Sequence, residues 1–249
     1  MADKDTSALH HAYLDAMGVQ LWQRRQVVQA APQVPSSPTV QVADEPTVNP
    51  ILPVATLPPR PIRLPADWGE LEMGVAHCQV CELHQQRTHA VLGAGSRSAA
   101  WMFVGEAPGA DEDQQGEPFV GKAGQLFNLM LNALGLARQE VYMTNIVKCR
   151  PPGNRDPHVD ELASCSGYLQ QQVALVKPRI IVAVGRIAAH SLLHNDLAVG
   201  VLRGKEHRYG DAHTPVVVTY HPAYLLRAPH EKRKAWEDLL FARSIVNAS

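Results

Sequence analysis

One juncture in the middle of the chain constrains the fold more than any other segment. An apolar run, Trp101-Met102-Phe103-Val104, is followed at once by Gly105-Glu106-Ala107-Pro108-Gly109. A second Gly-rich stretch, residues 116–124, leads into the helical apolar spacing that begins at Gln125. A buried strand that ends in such residues and restarts as a helix places backbone N–H groups and carboxylates at its carboxyl end, where open α/β sheets build their sites.

The region from residue 67 to residue 249 repeats this order of strand and helix. The predicted strands are Trp101–Gly105, Val141–Ile146, Arg179–Val184 and Val216–Thr219. The predicted helices are Ala123–Leu134, Val159–Val176, Arg186–His194 and Glu231–Asn247. Short apolar strands separated by helix-length segments predict a parallel sheet with helices on both faces. We therefore expect an α/β fold, a three-layer αβα sandwich around a central four-stranded parallel sheet.

A proline-rich segment separates this region from the N-terminus. Residues 31–65 hold ten of the nineteen prolines, a density that forbids regular secondary structure. The chain is thus predicted to consist of an N-terminal helical arm (1–25), a disordered linker (26–66) and one domain (67–249). The arm carries an apolar stripe that cannot form a core alone, so it packs either on its own domain or on another protein.

The composition bounds the location and the partners of the chain. A formal net charge of −1 over 249 residues means that any contact with DNA must come from local basic patches. No apolar run approaches the length of a membrane span, and residues 1–5 lack the order of a signal peptide. We expect a cytoplasmic monomer that has no membrane contact.

Four cysteines give the second strong signal. Cys78 and Cys81 are separated by two residues, Cys149 directly follows a predicted strand, and Cys165 lies in a predicted helix. In a cytosolic chain such residues are metal ligands or buried thiols rather than disulfides. A single four-cysteine site would use them all. The spacing alone leaves zinc, an iron–sulfur cluster and buried apolar thiols open.

Three polar or aromatic residues stand at positions where a site would form. The amide of Asn145 offers a donor and an acceptor, which suit the O4 and N3–H of a pyrimidine, although an Asn after a strand is commonly a turn residue. His221 follows a strand and could donate a hydrogen bond to charge on a leaving group, or be an ordinary capping residue. Phe119, taken alone, is most simply a core residue.

Taken together and in this order, the motifs resemble those of family 4 uracil-DNA glycosylases over roughly residues 70–249. The matching motifs are the cysteine pair, Gly105–Gly109, Thr144–Pro152 and His221-Pro222-Ala223. The resemblance implies a DNA repair enzyme that hydrolyses the N-glycosidic bond of uracil and leaves an abasic site. It also implies a [4Fe–4S] cluster, with zinc as the alternative occupant, bound by Cys78, Cys81, Cys149 and Cys165.

The resemblance assigns roles around the flipped base. It implies that Asn145 reads uracil and that Phe119 stacks on the ring, with Gly105 and Ala107 also at the substrate. His221 would stabilise the charge that develops at uracil O2.

The resemblance also assigns the water and the DNA contacts. Glu106 is the first candidate to position or activate the water, and Glu112 and Asp111 are the alternatives. Removal of a base from the stack leaves a gap that an apolar side chain can fill, and a nearby cation can hold a phosphate. The predicted DNA-binding residues are Leu225, Leu226 and Arg227.

The N-terminal arm resembles a different protein. Residues 13–25 are similar to the opening segment of the psi subunit of bacterial DNA polymerase III, which docks onto the clamp loader. This implies a contact with the clamp loader through Leu14, Met17, Leu21 and Trp22. It also sets an alternative function, that of a replisome adaptor whose glycosylase-like domain is secondary or inactive.

Overall fold

The computed structural model of the protein describes residues 67–248, which form one mixed sheet with helices around it. The strands are β1 Ala94–Gly95, β2 Trp101–Gly105, β3 Tyr142–Asn145, β4 Ile180–Val184, β5 Glu206–Tyr209 and β6 Thr214–Thr219. The helices are α1 Trp68–Ala76, α2 Ala110–Gln115, α3 Lys122–Ala133, α4 Val159–Val176, α5 Arg186–Leu193, α6 Val199–Leu202, α7 Pro222–Arg227 and α8 Lys232–Ala248. Short 3₁₀ turns cover Glu82–Gln85, Arg138–Glu140, Pro152–Asn154 and Pro229–Glu231.

The order of the six strands is β1-β3-β2-β4-β6-β5. The three inner pairs, β3 with β2, β2 with β4 and β4 with β6, are parallel. The two edge pairs, β1 with β3 and β5 with β6, are antiparallel. The inner strands therefore all end at one edge of the sheet, and the register places Gly105 directly beside Asn145 at that edge.

Both faces of the sheet are covered, so the inner strands are apolar throughout. Met102 and Ile181 belong to one core cluster, while their neighbours Phe103 and Val182 belong to the other, because successive strand residues point to opposite faces. Every residue of β2 and β4 is buried. This double burial explains the continuous apolar runs that predicted these strands.

Local signals set the ends of the helices. The carboxylate of Asp67 accepts a hydrogen bond from the Glu70 N–H (2.9 Å) and caps the start of α1. Helix α4 ends at Lys177, which has a left-handed φ of 51° and whose N–H donates to the Val173 carbonyl (2.9 Å). Pro178, which follows, cannot continue a helix.

The eight elements predicted from the sequence are present, each with ends within two residues of the prediction. The edge strands β1 and β5 were not predicted, because β1 has two residues and β5 is polar and half-exposed. No helix within residues 67–248 is long and apolar enough to cross a membrane. The predicted arm and linker lie outside the described residues.

Candidate active site

A cleft of about 790 Å³ opens where the inner strands end. It is lined by segments that follow β2, β3, β4 and β6, together with the loop of residues 154–156 and helix α7. It brings together Glu106, Ala107, Glu112, Phe119, Asn145 and His221, which the sequence had predicted to share a site, and Arg227 lies at its edge. A topological crevice at the carboxyl ends of parallel strands is the place where α/β proteins bind ligands.

Glu106 is the first residue after β2 and is partly buried. Burial raises the pKa of Glu106 from its ordinary value to about 7. The neighbouring Asp156 adds to this rise in pKa and Arg186 opposes it. A hydrogen bond that the protonated Glu106 would donate to Asp156 also raises this pKa, and Asp156 forms an ion pair with Arg186. Glu106 therefore changes its charge near neutral pH.

Glu112 holds two loops of the cleft together. Its Oε2 accepts a hydrogen bond from the Gly109 N–H (3.1 Å), and its Oε1 accepts from the N–H groups of Val120 (3.0 Å) and Gly121 (3.1 Å). Three backbone donors occupy the lone pairs of this carboxylate and leave little capacity for a water molecule. Asp111, on the same short helix, is exposed.

Phe119 and Asn145 approach β2 so closely that only glycine fits at residue 105. A Cβ on Gly105 would lie 2.4 Å from Asn145 Oδ1 and 2.9 Å from Phe119 Cζ. Phe119 is buried and stacks on Phe127, with ring centroids 4.5 Å apart. The glycine thus makes room for the aromatic ring and the amide to face the same part of the cleft.

Phe119 has a left-handed φ of 56°, which costs free energy for a residue with a side chain. Its loop is held in this conformation by Arg138, whose guanidinium donates to the carbonyls of Phe119 (3.1 Å) and Pro118. Gly124 assists, because a Cβ there would lie 2.0 Å from the Phe119 carbonyl oxygen. Sequence reasoning missed Arg138, which lies far from the Gly-rich segment in the chain.

His221 precedes the first turn of α7, and its tautomer follows from a backbone contact. The Ala223 N–H donates to His221 Nδ1 (3.1 Å), so the ring proton is on Nε2 when the imidazole is neutral. Burial lowers the pKa of His221 to about 4, with Arg227 adding and Glu112 opposing. His221 is therefore a neutral donor at physiological pH, and its ring centroid lies 6.3 Å from that of Phe119.

The predicted DNA contacts divide between the two sides of α7. Leu226 is 45% exposed and Arg227 is also exposed. Leu225 is only 1% exposed and lines an apolar groove formed with residues of α3 and α8. Leu225 therefore belongs to the core of the folded domain, which corrects its prediction as a DNA contact and leaves Leu226 as the candidate wedge.

Cys78 and Cys81 lie in the segment after α1, Cys149 lies in the loop between β3 and α4, and Cys165 lies in α4. Cys149 and Cys165 are buried, and Cys78 and Cys81 are partly exposed. Burial raises the pKa of Cys81, of Cys149 and of Cys165, the last to about 12, and neighbouring cysteines add to each rise. Among the hydrogen bonds to these sulfurs, Arg87 donates to Cys149 Sγ (3.0 Å) and the Lys148 N–H donates to Cys165 Sγ (3.3 Å).

Neighbouring cysteines raise one another's pKa, so the thiols lie near one another. Within residues 67–248, no group of three or more His, Cys, Asp or Glu side chains is placed to hold a single metal ion.

Asp156 and Arg186 are two further cleft residues that sequence reasoning missed. Arg186 directly follows β4 and Gly185, so the rule that identified Glu106 after β2 would also have found it. Asp156 stands in a loop after Pro151, and no strand or spacing marks it.

Comparison with known proteins identifies the protein family to which this fold and cleft belong. Residues 92–240 match the model of the uracil DNA glycosylase superfamily, and the chain belongs to that superfamily. Its relatives include a type-4 uracil-DNA glycosylase of Pyrobaculum aerophilum, 42% identical over 179 residues, which are 70% of this chain and 91% of the relative. The type-4 enzyme of Thermotoga maritima is 38% identical over 175 residues, or 69% of this chain and 91% of the relative. A type-5 enzyme of Thermus thermophilus is 34% identical over 118 residues, only 41% of this chain and 53% of the relative.

Proposed function

We propose that this protein is a monofunctional uracil-DNA glycosylase of base excision repair, which hydrolyses the N-glycosidic bond of uracil in DNA. The observation that carries the proposal is the convergence of Asn145, Phe119, His221 and Glu106 in one cleft of a chain that belongs to this superfamily. Relatives named as type-4 uracil-DNA glycosylases, aligned over most of their length, support it. The comparisons give no support to the replisome-adaptor alternative.

Asn145 and Phe119 would recognise the flipped base. The Asn145 amide pairs with O4 and N3–H of uracil, which are an acceptor and a donor in adjacent positions. The Phe119 ring, held by Phe127 and by the arginine contact to its loop, presents a face for stacking. The close approach at Gly105 and the backbone at Ala107 complete this side of the substrate site.

His221 would stabilise the leaving group by hydrogen bonding. As the C1′–N1 bond breaks, negative charge develops on uracil, and the Nε2–H of His221 donates to O2. Because the pKa of His221 is about 4, its imidazole is neutral at physiological pH. It would therefore stabilise the leaving group by donating a hydrogen bond and not by transferring a proton. The sugar left behind carries oxocarbenium character, which an ionised Glu106 stabilises while it positions the attacking water.

We assign the water to Glu106 rather than to Glu112 or Asp111. Glu112 is held by three backbone donors, and Asp111 is exposed. Glu106 has a pKa near neutrality, which is the property expected of a general base. Glu112 then acts on catalysis by holding the loops of residues 109 and 120–121 in place.

We also propose that Cys78, Cys81, Cys149 and Cys165 bind a [4Fe–4S] cluster. The four cysteines are a complete donor set, neighbouring cysteines raise one another's pKa, and Arg87 and the Lys148 N–H donate hydrogen bonds to two of the sulfurs. A [4Fe–4S] cluster takes four cysteine ligands, so it would use the whole set. The cluster would join the loop of residues 78–81 to α4 and supplies no substrate chemistry. Iron and sulfide analysis of the brown protein tests this proposal, and a colourless protein with stoichiometric zinc would overturn it.

The central test is incubation of the purified chain with an oligonucleotide that contains one uracil, followed by alkali to cleave abasic sites. We expect cleavage at the uracil and no cleavage of the matched oligonucleotide that contains thymine. Neither oligonucleotide should be cleaved when the alkali step is left out. A Glu106→Gln, His221→Ala double variant serves as the control for contaminating glycosylase. Absence of alkali-labile sites with the wild-type protein would overturn the proposed function.

We propose a docking role for the N-terminal arm from its sequence alone. Residues 1–25 would dock onto the clamp loader of the replicative polymerase in the cytoplasm, with Trp22 as the anchor. Deleting residues 1–30 should leave excision from a short oligonucleotide intact and abolish co-purification with clamp-loader subunits. Loss of excision on deletion would show instead that the arm is part of its own domain.

A further inference from the structure

A lysine that the proposed mechanism does not use lies between the cysteines and the base-reading strand. Lys148 is only 1% exposed, three residues after Asn145 and next to Cys149. Its Nζ donates to Thr144 Oγ1 (2.7 Å), to the Asn145 carbonyl (2.6 Å) and to Gln172 Oε1 (2.6 Å). An ammonium has three donors, and all three are used here.

The buried ammonium has no carboxylate partner. Among the ion pairs formed by residues 67–248, none includes Lys148, and the titratable groups that influence its charge are the thiols of Cys165 and Cys149. The Lys148 N–H also donates to Cys165 Sγ (3.3 Å). Because an unpaired buried charge is costly, these cysteines would supply the counter-charge when they bind a metal as thiolates.

The acceptors of Lys148 belong to a buried polar network that ties β3 to α4. Gln172 of α4 accepts from Lys148 and donates to the Leu92 carbonyl and to the Tyr142 hydroxyl, both at 2.8 Å. Thr144 donates to the same Leu92 carbonyl (2.7 Å). Lys148 is the member of this network that holds the backbone of Asn145 itself.

We propose, on the basis of the proposed function, that Lys148 is a positioning residue for uracil recognition. Its ammonium clamps the Asn145 carbonyl to Gln172 and so fixes the direction of the Asn145 amide in the cleft. The cysteine site would balance the charge of the clamp when its thiolates hold a cluster, because Lys148 lies beside Cys149 and its N–H donates to Cys165. A single side chain thereby links the metal-binding cysteines to the residue that reads the base.

The test compares Lys148→Met with Tyr142→Phe as the matched control. Methionine has similar length and no donor or charge, whereas Tyr142→Phe removes a hydroxyl of the same network without touching the Lys148–Asn145 contact. Isothermal titration with free uracil, at a temperature far below both melting midpoints, should show at least a tenfold loss of affinity in Lys148→Met. Tyr142→Phe should stay within twofold of the wild type. In excision assays kcat should fall while KM for DNA stays unchanged.

A second measurement addresses the balance of charge. Removing a cation beside the cysteine site should shift the reduction potential of the bound cluster to a more negative value in Lys148→Met and leave it unchanged in Tyr142→Phe. Wild-type uracil affinity in a folded Lys148→Met variant would overturn the inference, and so would an unchanged potential. Failure of the wild-type protein to cut uracil would overturn the proposed function instead.

If Lys148→Met does not fold, Gln172→Met decides the question. This variant retains the ammonium and its contact to Asn145 but removes one end of the clamp. We expect a loss of uracil affinity of about threefold, with Tyr142→Phe again as the control. Unchanged affinity in folded Gln172→Met would then overturn the inference.

Discussion

The pH dependence of excision should report the ionisation of Glu106, and its two charged neighbours should shift that dependence in opposite directions. Burial first, and Asp156 second, raise the pKa of Glu106 from 4.5 to about 7. If the ionised form is required, about 1% of the protein is active at pH 5 and about 90% at pH 8. The single-turnover rate should therefore fall about ninety-fold between these values, whereas an ordinary glutamate would lose less than about twofold.

The variants Asp156→Asn and Arg186→Met separate the charge effect from burial. Asp156→Asn removes a like charge and should lower the apparent pKa, and Arg186→Met removes a cation and should raise it. Because the side chains of Asp156 and Arg186 are 59% and 52% exposed, solvent screening limits each shift to about half a pKa unit. That corresponds to about a threefold gain or loss of rate at pH 5.

The assay is single-turnover release of uracil from a labelled oligonucleotide across pH 4.5–9 at two salt concentrations, with Glu106→Gln as the control without the titrating group. Higher salt should shrink both shifts. An acidic limb centred near pH 4.5, or shifts of the two variants in the same direction, would refute the reasoning and move the role of base to another carboxylate.

Three further perturbations test the site. His221→Ala and Asn145→Ala should each lower the single-turnover rate by about 10²–10³-fold with little change in DNA affinity, and wild-type rates in both would refute the assignment. Leu225→Ala should cost about 3 kcal/mol of unfolding free energy in denaturant titrations, while Leu226→Ala should leave stability unchanged and weaken excision from duplex DNA; equal stability losses would contradict their separation. Gly105→Ala should abolish excision in a folded protein, because its Cβ would lie 2.4 Å from the amide oxygen of Asn145, and a wild-type rate would disprove the close approach.

The inner strands and main helices were predictable because burial on both faces leaves a pattern that survives in the sequence. Strand β4 consists of five buried apolar residues. Short, continuous apolar runs between helical segments are typical of strands in a parallel sheet that is covered on both faces. Strand β5 carries Glu206 and Arg208 on its exposed face and pairs on one side only, so its sequence resembles a loop. Edge strands are defined by a partner rather than by their own composition.

The site was predictable where it follows strand ends and unpredictable where loops cross. Asn145 is the last residue of β3, Glu106 directly follows β2 and His221 lies two residues after β6, and parallel order brings such ends together. Asp156 comes close to Glu106 because of the path of the loop that carries it. The path of a loop leaves no periodic pattern in the sequence from which it could be predicted. Leu225 and Leu226 are adjacent and alike in sequence, and only the packing of α7 determines which one is exposed.

One physical cause, burial, acts on the two proposed catalytic groups with different consequences for pH. It favours the neutral form of each, so it raises the pKa of Glu106 to about 7 and lowers the pKa of His221 to about 4. Glu106 consequently titrates in the physiological range, whereas His221 keeps the same neutral, Nε2-protonated form at every pH above about 5. The two pKa values lie in the reverse order to that of free glutamate and histidine. The profile should therefore have one acidic limb that belongs to the carboxylate and no limb near pH 6.5 from the imidazole, since the donor to uracil O2 is already in its working form throughout.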